Sequence, residues 1–287
     1  MLNIFKTTLS DVSATLLCEN TARGAGILGE HGLAWWIESG GRRLLFDLGQ
    51  GLSLLGNARK LKISLTDVDA IVLSHGHYDH LGGWSVLPKE AKACPVFMHP
   101  DALIPKFQRR TDGSIVPAGN TRIANSLPQE AQRLITEHKP TEIMDGIWMT
   151  GQIPRLNDYE DTGGDFVQDL EGTRPDPLHD DQSLFFKTSN GIVVILGCAH
   201  SGVVNTLHYV QQLTDERIHA AIGGMHLLNA SAERIRCTIN ALHEIAPDWI
   251  GPNHCTGDAA TAELRTAFAG RCLECHAGQS YTFPYSI

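Results

Sequence analysis

The chain carries little charge for its length. Asp, Glu, Lys and Arg make up 19% of 287 residues, and 32 acids against 23 bases leave a formal net charge of −9. A broad attraction to nucleic-acid phosphates is therefore not expected. No apolar stretch approaches the roughly 20 residues that a helical membrane span requires, and Met1 to Ser10 lack the apolar core of a signal peptide, so the expectation is a cytoplasmic protein with no membrane partner. Cysteine is sparse: seven residues, an odd number in a chain too long to need covalent staples, argue against a disulfide framework. Cys272-Leu273-Glu274-Cys275-His276 has the spacing of a haem-attachment pentapeptide, but that motif belongs to exported proteins, and reduced thiols in a C-terminal strand or turn are expected instead. Internal repeats and low-complexity segments are also missing. Apolar residues are not scarce: at 42% hydrophobic the chain can bury a large core, and one domain over 1–287 is expected.

The densest chemistry lies in His75-Gly76-His77-Tyr78-Asp79-His80, directly after Asp69-Ala70-Ile71-Val72-Leu73-Ser74. The aliphatic run reads as a buried strand, and Ser-His-Gly-His breaks it into a loop where side chains can converge. Imidazoles with a carboxylate suit zinc, iron or manganese, whereas softer sites draw on thiolates. His75 and His77 can grip one cation while Asp79 and His80 point toward a second.

Around this loop, strands are expected at 12–17, 33–37, 44–46 and 70–73, with a short helix at 53–60. Residues 100–180 are proline-rich and irregular, the pattern of a lid or binding loop inserted in the domain. Within them Lys106-Phe107-Gln108-Arg109-Arg110 reads as a solvated face, with the option of a local anion site. Order returns with a hairpin at 184–188 and 192–196 around Asn190-Gly191. Val203, Val204, Leu207, Val210 and Leu213 then recur at helical spacing before a strand at 218–222, and Ser231 is placed to cap a helix carrying Ile235, Ile239, Leu242 and Ile245. His200, His226 and His254 thus follow three successive strands, whose ends share one edge in an open α/β layer.

The loop at 75–80 resembles the H-x-H-x-D-H motif of metallo-β-lactamase-fold metallohydrolases, and the resemblance extends over nearly the whole chain. Gly40 to Gln50 looks like the family's second hairpin strand, ending in Asp47, which in relatives supports the metal loop without ligating. Within the superfamily the chain looks most like the branch of 7,8-dihydropterin-6-methyl-4-(β-D-ribofuranosyl)aminobenzene-5'-phosphate synthases and their bacterial relatives. The stretches that carry this are Gly29 to Leu33, Ser74 to Gly83, Gly197 to Gly202, Gly223 to Leu227 and Asn253 to Gly257. The resemblance implies an α/β protein of the αββα sandwich class that holds one or two divalent ions of zinc, iron or manganese.

By the same resemblance, His254 is the last ligand, on the Asp79/His80 side. The bridging Asp that relatives place after the hairpin is replaced here by Gly197-Cys198-Ala199-His200. One alignment keeps His179, with Asp180 and Asp181 as competing carboxylates, and puts His200 or Cys198 in the bridging place; the other makes His200 the third ligand of the His75/His77 ion. His226 is a candidate acid/base, and His31 a candidate pocket residue whose tautomer Glu30 could fix. Cys198 and Cys255 adjoin ligand histidines and could equally be packing residues.

The implied chemistry is hydrolysis of an ester, lactone, thioester or phosphoester by a metal-bound hydroxide, the ion lowering the water pKa from 15.7 to about 7. Asp79 would orient the nucleophile. With one carboxylate fewer, the site should favour phosphorylated small molecules over neutral ones, clamped by Arg109, Arg110 or Arg155. The branch implies instead a transferase that condenses a dihydropterin diphosphate with a ribofuranosyl aminobenzene phosphate. Flavodiiron-type redox chemistry is not expected, because those proteins have Glu where His77 stands, and a silent ligand sensor would need a damaged first loop. Oligomeric state is left open.

Overall fold

Buried and half-buried residues alternate at the start of Val12–Cys18 in the computed structural model, which describes residues 11–284; the reading of Met1 to Ser10 lies outside the described residues. That pattern fits a strand packed on one face. This strand, β1, forms an antiparallel meander with β2 (Ala34–Ser39) and β3 (Arg42–Phe46). After α1 (Leu54–Lys60), β4 (Ala70–Val72) joins β3 in parallel. α2 (Tyr78–Leu81) precedes β5 (Pro95–Met98), which is parallel to β4.

Residues 100–180 are more regular than their prolines suggest. They contain β6 (Phe107–Arg109), β7 (Ile115–Pro117), α3 (Thr121–Glu130), β8 (Arg133–Thr136), β9 (Thr141–Met144), β10 (Ile147–Met149) and β11 (Asp165–Val167). β8 extends the first sheet, β9 and β10 begin the second, and β11, β6 and β7 form a small sheet of their own. Strands of three or four residues are too short to show a period, and prolines at their ends read as loop.

The hairpin of β12 (Leu184–Thr188) and β13 (Gly191–Ile195) turns at Asn190 as expected. α4 (Val203–Thr214) leads to β14 (Ile218–Gly224), and α5 (Ala232–Ile245) to β15 (Trp249–Asn253), both strands added in parallel. Ser231 caps α5 by accepting from Arg234 N at 3.1 Å. α6 (Asp258–Ala267) then precedes β16 (Ser280–Phe283), which returns to pair with β1.

The sheets run β16-β1-β2-β3-β4-β5-β8 and β15-β14-β13-β12-β10-β9. Between them lies one core, where Trp35, Phe46 and Val72 share a cluster with Phe186, Val193 and Ile222. A second apolar layer on the outer side of the first sheet includes Leu54, Leu81 and Leu127 from the first three helices. A third on the second sheet includes Leu207, Leu242 and Leu264 from the last three. The architecture is therefore the αββα sandwich. Parallel order matters for function because loops after β3, β4, β13, β14 and β15 all leave at one edge, where Asp47, His75 to His80, His200, His226 and His254 meet. No helix among the described residues is long and apolar enough to cross a membrane.

Candidate metal centre

Beyond β4 the chain is anchored by Asp47. Its two carboxylate oxygens accept from the Ser74 backbone N–H and hydroxyl, each at 2.7 Å, and one of them lies 2.7 Å from His80 Nδ1. Because the Ser74 hydroxyl donates to Asp47, it accepts from His75 Nδ1 at 2.9 Å. His254 Nδ1 faces Asn20 Oδ1 at 2.9 Å, and His200 Nδ1 faces the Thr162 carbonyl at 2.8 Å. In each of these four imidazoles an acceptor holds a proton on Nδ1, and in His75, His200 and His254 this leaves the Nε2 lone pair free.

Those lone pairs converge. His80 Nε2 is 3.1 Å from His254 Nε2, His200 Nε2 is 3.1 Å from His77 Nδ1, and the buried Nε2 of His75 has no hydrogen-bond partner. With the Nδ1 positions of His75, His200 and His254 engaged elsewhere, their Nε2 atoms face the cluster, and a cation among them is what the donor set is suited to hold. Donor atoms of His75, His77 and His200 fall within 4.8 Å of one another, as do those of His31, Asp79 and His254. Asp79 Oδ2 sits 3.2 Å from His31 Nε2, 3.4 Å from His254 Nε2 and 3.9 Å from His80 Nε2. The grouping follows the alignment in which His200 is the third ligand on the His75/His77 side.

Electrostatics divide the cluster. Burial, reinforced by neighbouring imidazoles, keeps His75 and His200 well below the usual imidazole value, and burial does the same for His77. His80 is the basic member: against the pull of burial, Asp47 and then Asp79 raise it to about 9. Burial pushes Asp79 upward, yet His80, with His254 and His31 beside it, holds it well below the carboxylate range.

The surrounding loops are tightly fitted. Asp47, Ala199, His226 and His254 all take left-handed backbone, with φ of 59°, 56°, 46° and 48°. A side chain at Gly76 would meet the Ala102 carbonyl at 2.1 Å, which lets the Gly76 N–H reach Asp180 at 2.8 Å. Asp180 in turn shares the buried Lys106 ammonium with Asp176, at 2.9 and 3.0 Å. Lys106 is therefore not part of a solvated face but a brace beneath the metal loop.

A cavity of about 240 Å³ opens above the cluster, lined by His31, His77, His200, His226, Phe166 and Arg110 among others. It shares Gln108, Arg110, Gly163 and Asn229 with a wider trough of about 850 Å³. Phe166 packs on His77 and His200 with ring centroids 4.9 and 5.3 Å apart, and His226 lies 4.0 Å from His200 by the same measure. Gly163 covers His226 so closely that an added Cβ would fall 1.7 Å from its Cδ2, at a φ of +77°. Gly163→Ala should consequently push His226 or the covering loop aside. We expect turnover to drop by up to about 100-fold while metal content holds, the signature of misplacement rather than ligand loss. Metal analysis beside a steady-state assay checks this.

Several expectations are corrected. His179 is exposed and bonded to Gln152 at 3.1 Å, away from the ligand groups. Asp181 lies behind the site, where it accepts from Ser201 N at 2.8 Å and is raised to about 6 by burial. Glu30 does not fix the His31 tautomer, because its carboxylate accepts from the Gln50, Leu52 and Ser53 backbone instead. Arg155 donates to the Pro177 carbonyl at 2.6 Å and does not line the cavity. Arg109 lines the trough but is paired with Asp165 at 2.7 Å and bonds the Gly172 carbonyl. Arg110 alone of the three lines both cavity and trough without a side-chain hydrogen bond or ion pair among the described residues. Asn20, the Thr162 carbonyl and Phe166 had no signal in the sequence.

The sequence profile of the metallo-beta-lactamase superfamily matches residues 28–210. A 7,8-dihydropterin-6-methyl-4-(beta-D-ribofuranosyl)-aminobenzene-5'-phosphate synthase of Methanocaldococcus jannaschii is 30% identical over 266 residues, covering 88% of this chain and 90% of its own length. An uncharacterized protein of the same organism is 31% identical over 250 residues, covering 87% of this chain and 92% of its own. Among solved structures, Tm1679, a metal-dependent hydrolase of the beta-lactamase superfamily, superposes with a TM-score of 0.81 at 30% identity over 95% of this chain and 99% of its own. Since the profile spans the stretch from Asp47 to His200 and the fold is reproduced over nearly the whole length of such a protein, the chain belongs to the metallo-beta-lactamase superfamily.

Proposed function

We propose that the protein is a metal-dependent hydrolase of small phosphorylated molecules, acting in the cytoplasm with residues 1–287 as one unit. Superfamily membership implies divalent-metal binding, and the described residues supply candidate ligand groups. The observation that carries the reading is the convergence of buried imidazole nitrogens in two adjoining donor groups. His75, His77 and His200 would hold one side of the centre, and Asp79, His80 and His254 the other. A bound zinc, iron or manganese ion supplies Lewis acidity toward the scissile bond and the attacking water.

The chain's own residues do the rest. Asp79, held ionised, can accept a proton at Oδ2, and His31 beside it can relay that proton to the exposed side. His226, whose buried Nδ1 has no partner, can hold or deliver one on the opposite wall. Phe166 keeps water off His77 and His200. Arg110 is positioned to bind a phosphate where cavity and trough meet. The seven cysteines are all free, in keeping with a reducing compartment.

Losing a charge-assisted hydrogen bond of about 1.5–3 kcal/mol should make Arg110→Ala weaken phosphorylated substrates and diphosphate by at least about 10-fold. Metal content should not change. Diphosphate should also inhibit at lower concentration than a neutral lactone does; equal inhibition of wild type and Arg110→Ala by diphosphate would remove Arg110 from the site.

A second reading is favoured by the synthase of 30% identity that matches 88% of this chain. In it the same residues assist a transferase that joins a dihydropterin diphosphate to a ribofuranosyl aminobenzene phosphate. Metal-loaded protein assayed against esters, phosphodiesters and pterin diphosphates separates the two. Cleavage without an acceptor supports the hydrolase, and diphosphate release only with both partners supports the transferase. Tight ligand binding without turnover in any arm overturns both in favour of a sensor.

A further inference from the structure

Cys198 sits at the centre of the donor cluster. Its Sγ is 3.0 Å from His80 Nε2. It falls within 4.8 Å of donor atoms in three of the five candidate groups: with His75 and His80, with His200 and His226, and with His254 and Cys255. No other residue in these groups belongs to more than two. We infer that the Cys198 sulfur is the anionic ligand shared between the two halves of the centre, a thiolate standing where relatives were expected to place a carboxylate.

The neighbouring carboxylates leave that role open. Asp47 is committed to Ser74 and His80, and Asp180 to Lys106 and Gly76, while Asp181, bonded to Ser201 through one oxygen and unpartnered at the other, belongs to none of the donor groups. Asp79 would otherwise be the single anion among the ligands. The backbone is also shaped to deliver the sulfur. A Cβ on Gly197 would meet the Ser74 hydroxyl oxygen at 2.4 Å, and one on Gly224 would meet the Gly197 carbonyl at 2.6 Å, so both glycines admit an approach that larger residues would block. Cys255, the nearest other sulfur, donates to the Cys198 carbonyl at 3.5 Å. Ligation replaces the Cys198 S–H bond with a metal–sulfur bond and releases one proton to solvent. A thiolate at this position favours zinc or iron over manganese or magnesium, which narrows the metal class beyond the donor nitrogens alone.

The inference rests on the metal-dependent reading, and zinc X-ray absorption on the zinc-loaded protein tests the two separately. We expect a sulfur scatterer at about 2.3 Å beside nitrogen and oxygen at about 2.0–2.1 Å. Cys198→Ser should lose the sulfur shell, Cys255→Ser should keep it, and Cys198→Asp should bind metal with its preference moved from zinc toward manganese. A wild-type shell of nitrogen and oxygen alone overturns the inference while leaving the metal-dependent reading intact. A sulfur shell lost in Cys255→Ser assigns the ligand to Cys255 and overturns it as well. Should Cys198→Ser fail to fold, the wild-type and Cys255→Ser spectra still decide. Protein that retains neither zinc nor iron nor manganese sinks both readings.

Discussion

His200→Ala and Asp79→Ala should each lower turnover by more than about 100-fold, since loss of groups that merely orient metal ligands already costs about 10–100-fold. The argument differs for the two. His200 presents Nε2 to His77 at 3.1 Å, and its other nitrogen is spent on the Thr162 carbonyl, so alanine removes a donor without freeing a buried side-chain charge. The fold should survive and one equivalent of metal should bind weakly. Asp79 is the carboxylate around which His31, His80 and His254 gather, and its loss removes the carboxylate of His31 and His254 and leaves His80 with Asp47 alone. Metal analysis of the purified variants, with His179→Ala as the exposed control, reads both effects. A fully active His200→Ala enzyme would falsify the grouping of His75, His77 and His200.

Lys106→Met should produce the largest loss of stability, about 3–5 kcal/mol, because removing one member of a buried ion network strands the others. The Lys106 side chain is fully buried, and those of Asp176 and Asp180 are 3% and 0% exposed. Methionine fills the volume but cannot neutralise two carboxylates. The effect should be visible as a lower urea midpoint with an unchanged slope. Adding Asp176→Asn and Asp180→Asn to Lys106→Met should recover much of the loss, since no uncompensated charge then remains. A midpoint for Lys106→Met equal to that of wild type would show that the network contributes nothing.

Legibility followed the range of the interactions. His75 to His80 could be read because four ligand-type side chains fall within six residues, and α4 and α5 because their apolar spacing and Ser231 cap are local. His179 misled because spacing along the chain does not fix direction. Gln182 ties its backbone N–H to the Ser74 carbonyl at 3.1 Å and its amide to the Leu73 carbonyl at 2.9 Å, which seats 180–183 against the loop and leaves His179 outside. Lys106 resembled its exposed neighbours, and its partners lie 70 and 74 residues away. Asn20 orients His254 across 234 residues, a pairing that no local pattern announces.

The left-handed turns at Asp47, Ala199, His226 and His254 bear on how fast an ion is captured. A non-glycine residue in that conformation gives up roughly 1–2 kcal/mol, and fixing any backbone residue costs about as much again in entropy. We expect both costs to be met when the sheets fold. Uptake then needs no slow backbone search, and its observed rate should climb in proportion to metal concentration, without the plateau that a rate-limiting rearrangement would impose.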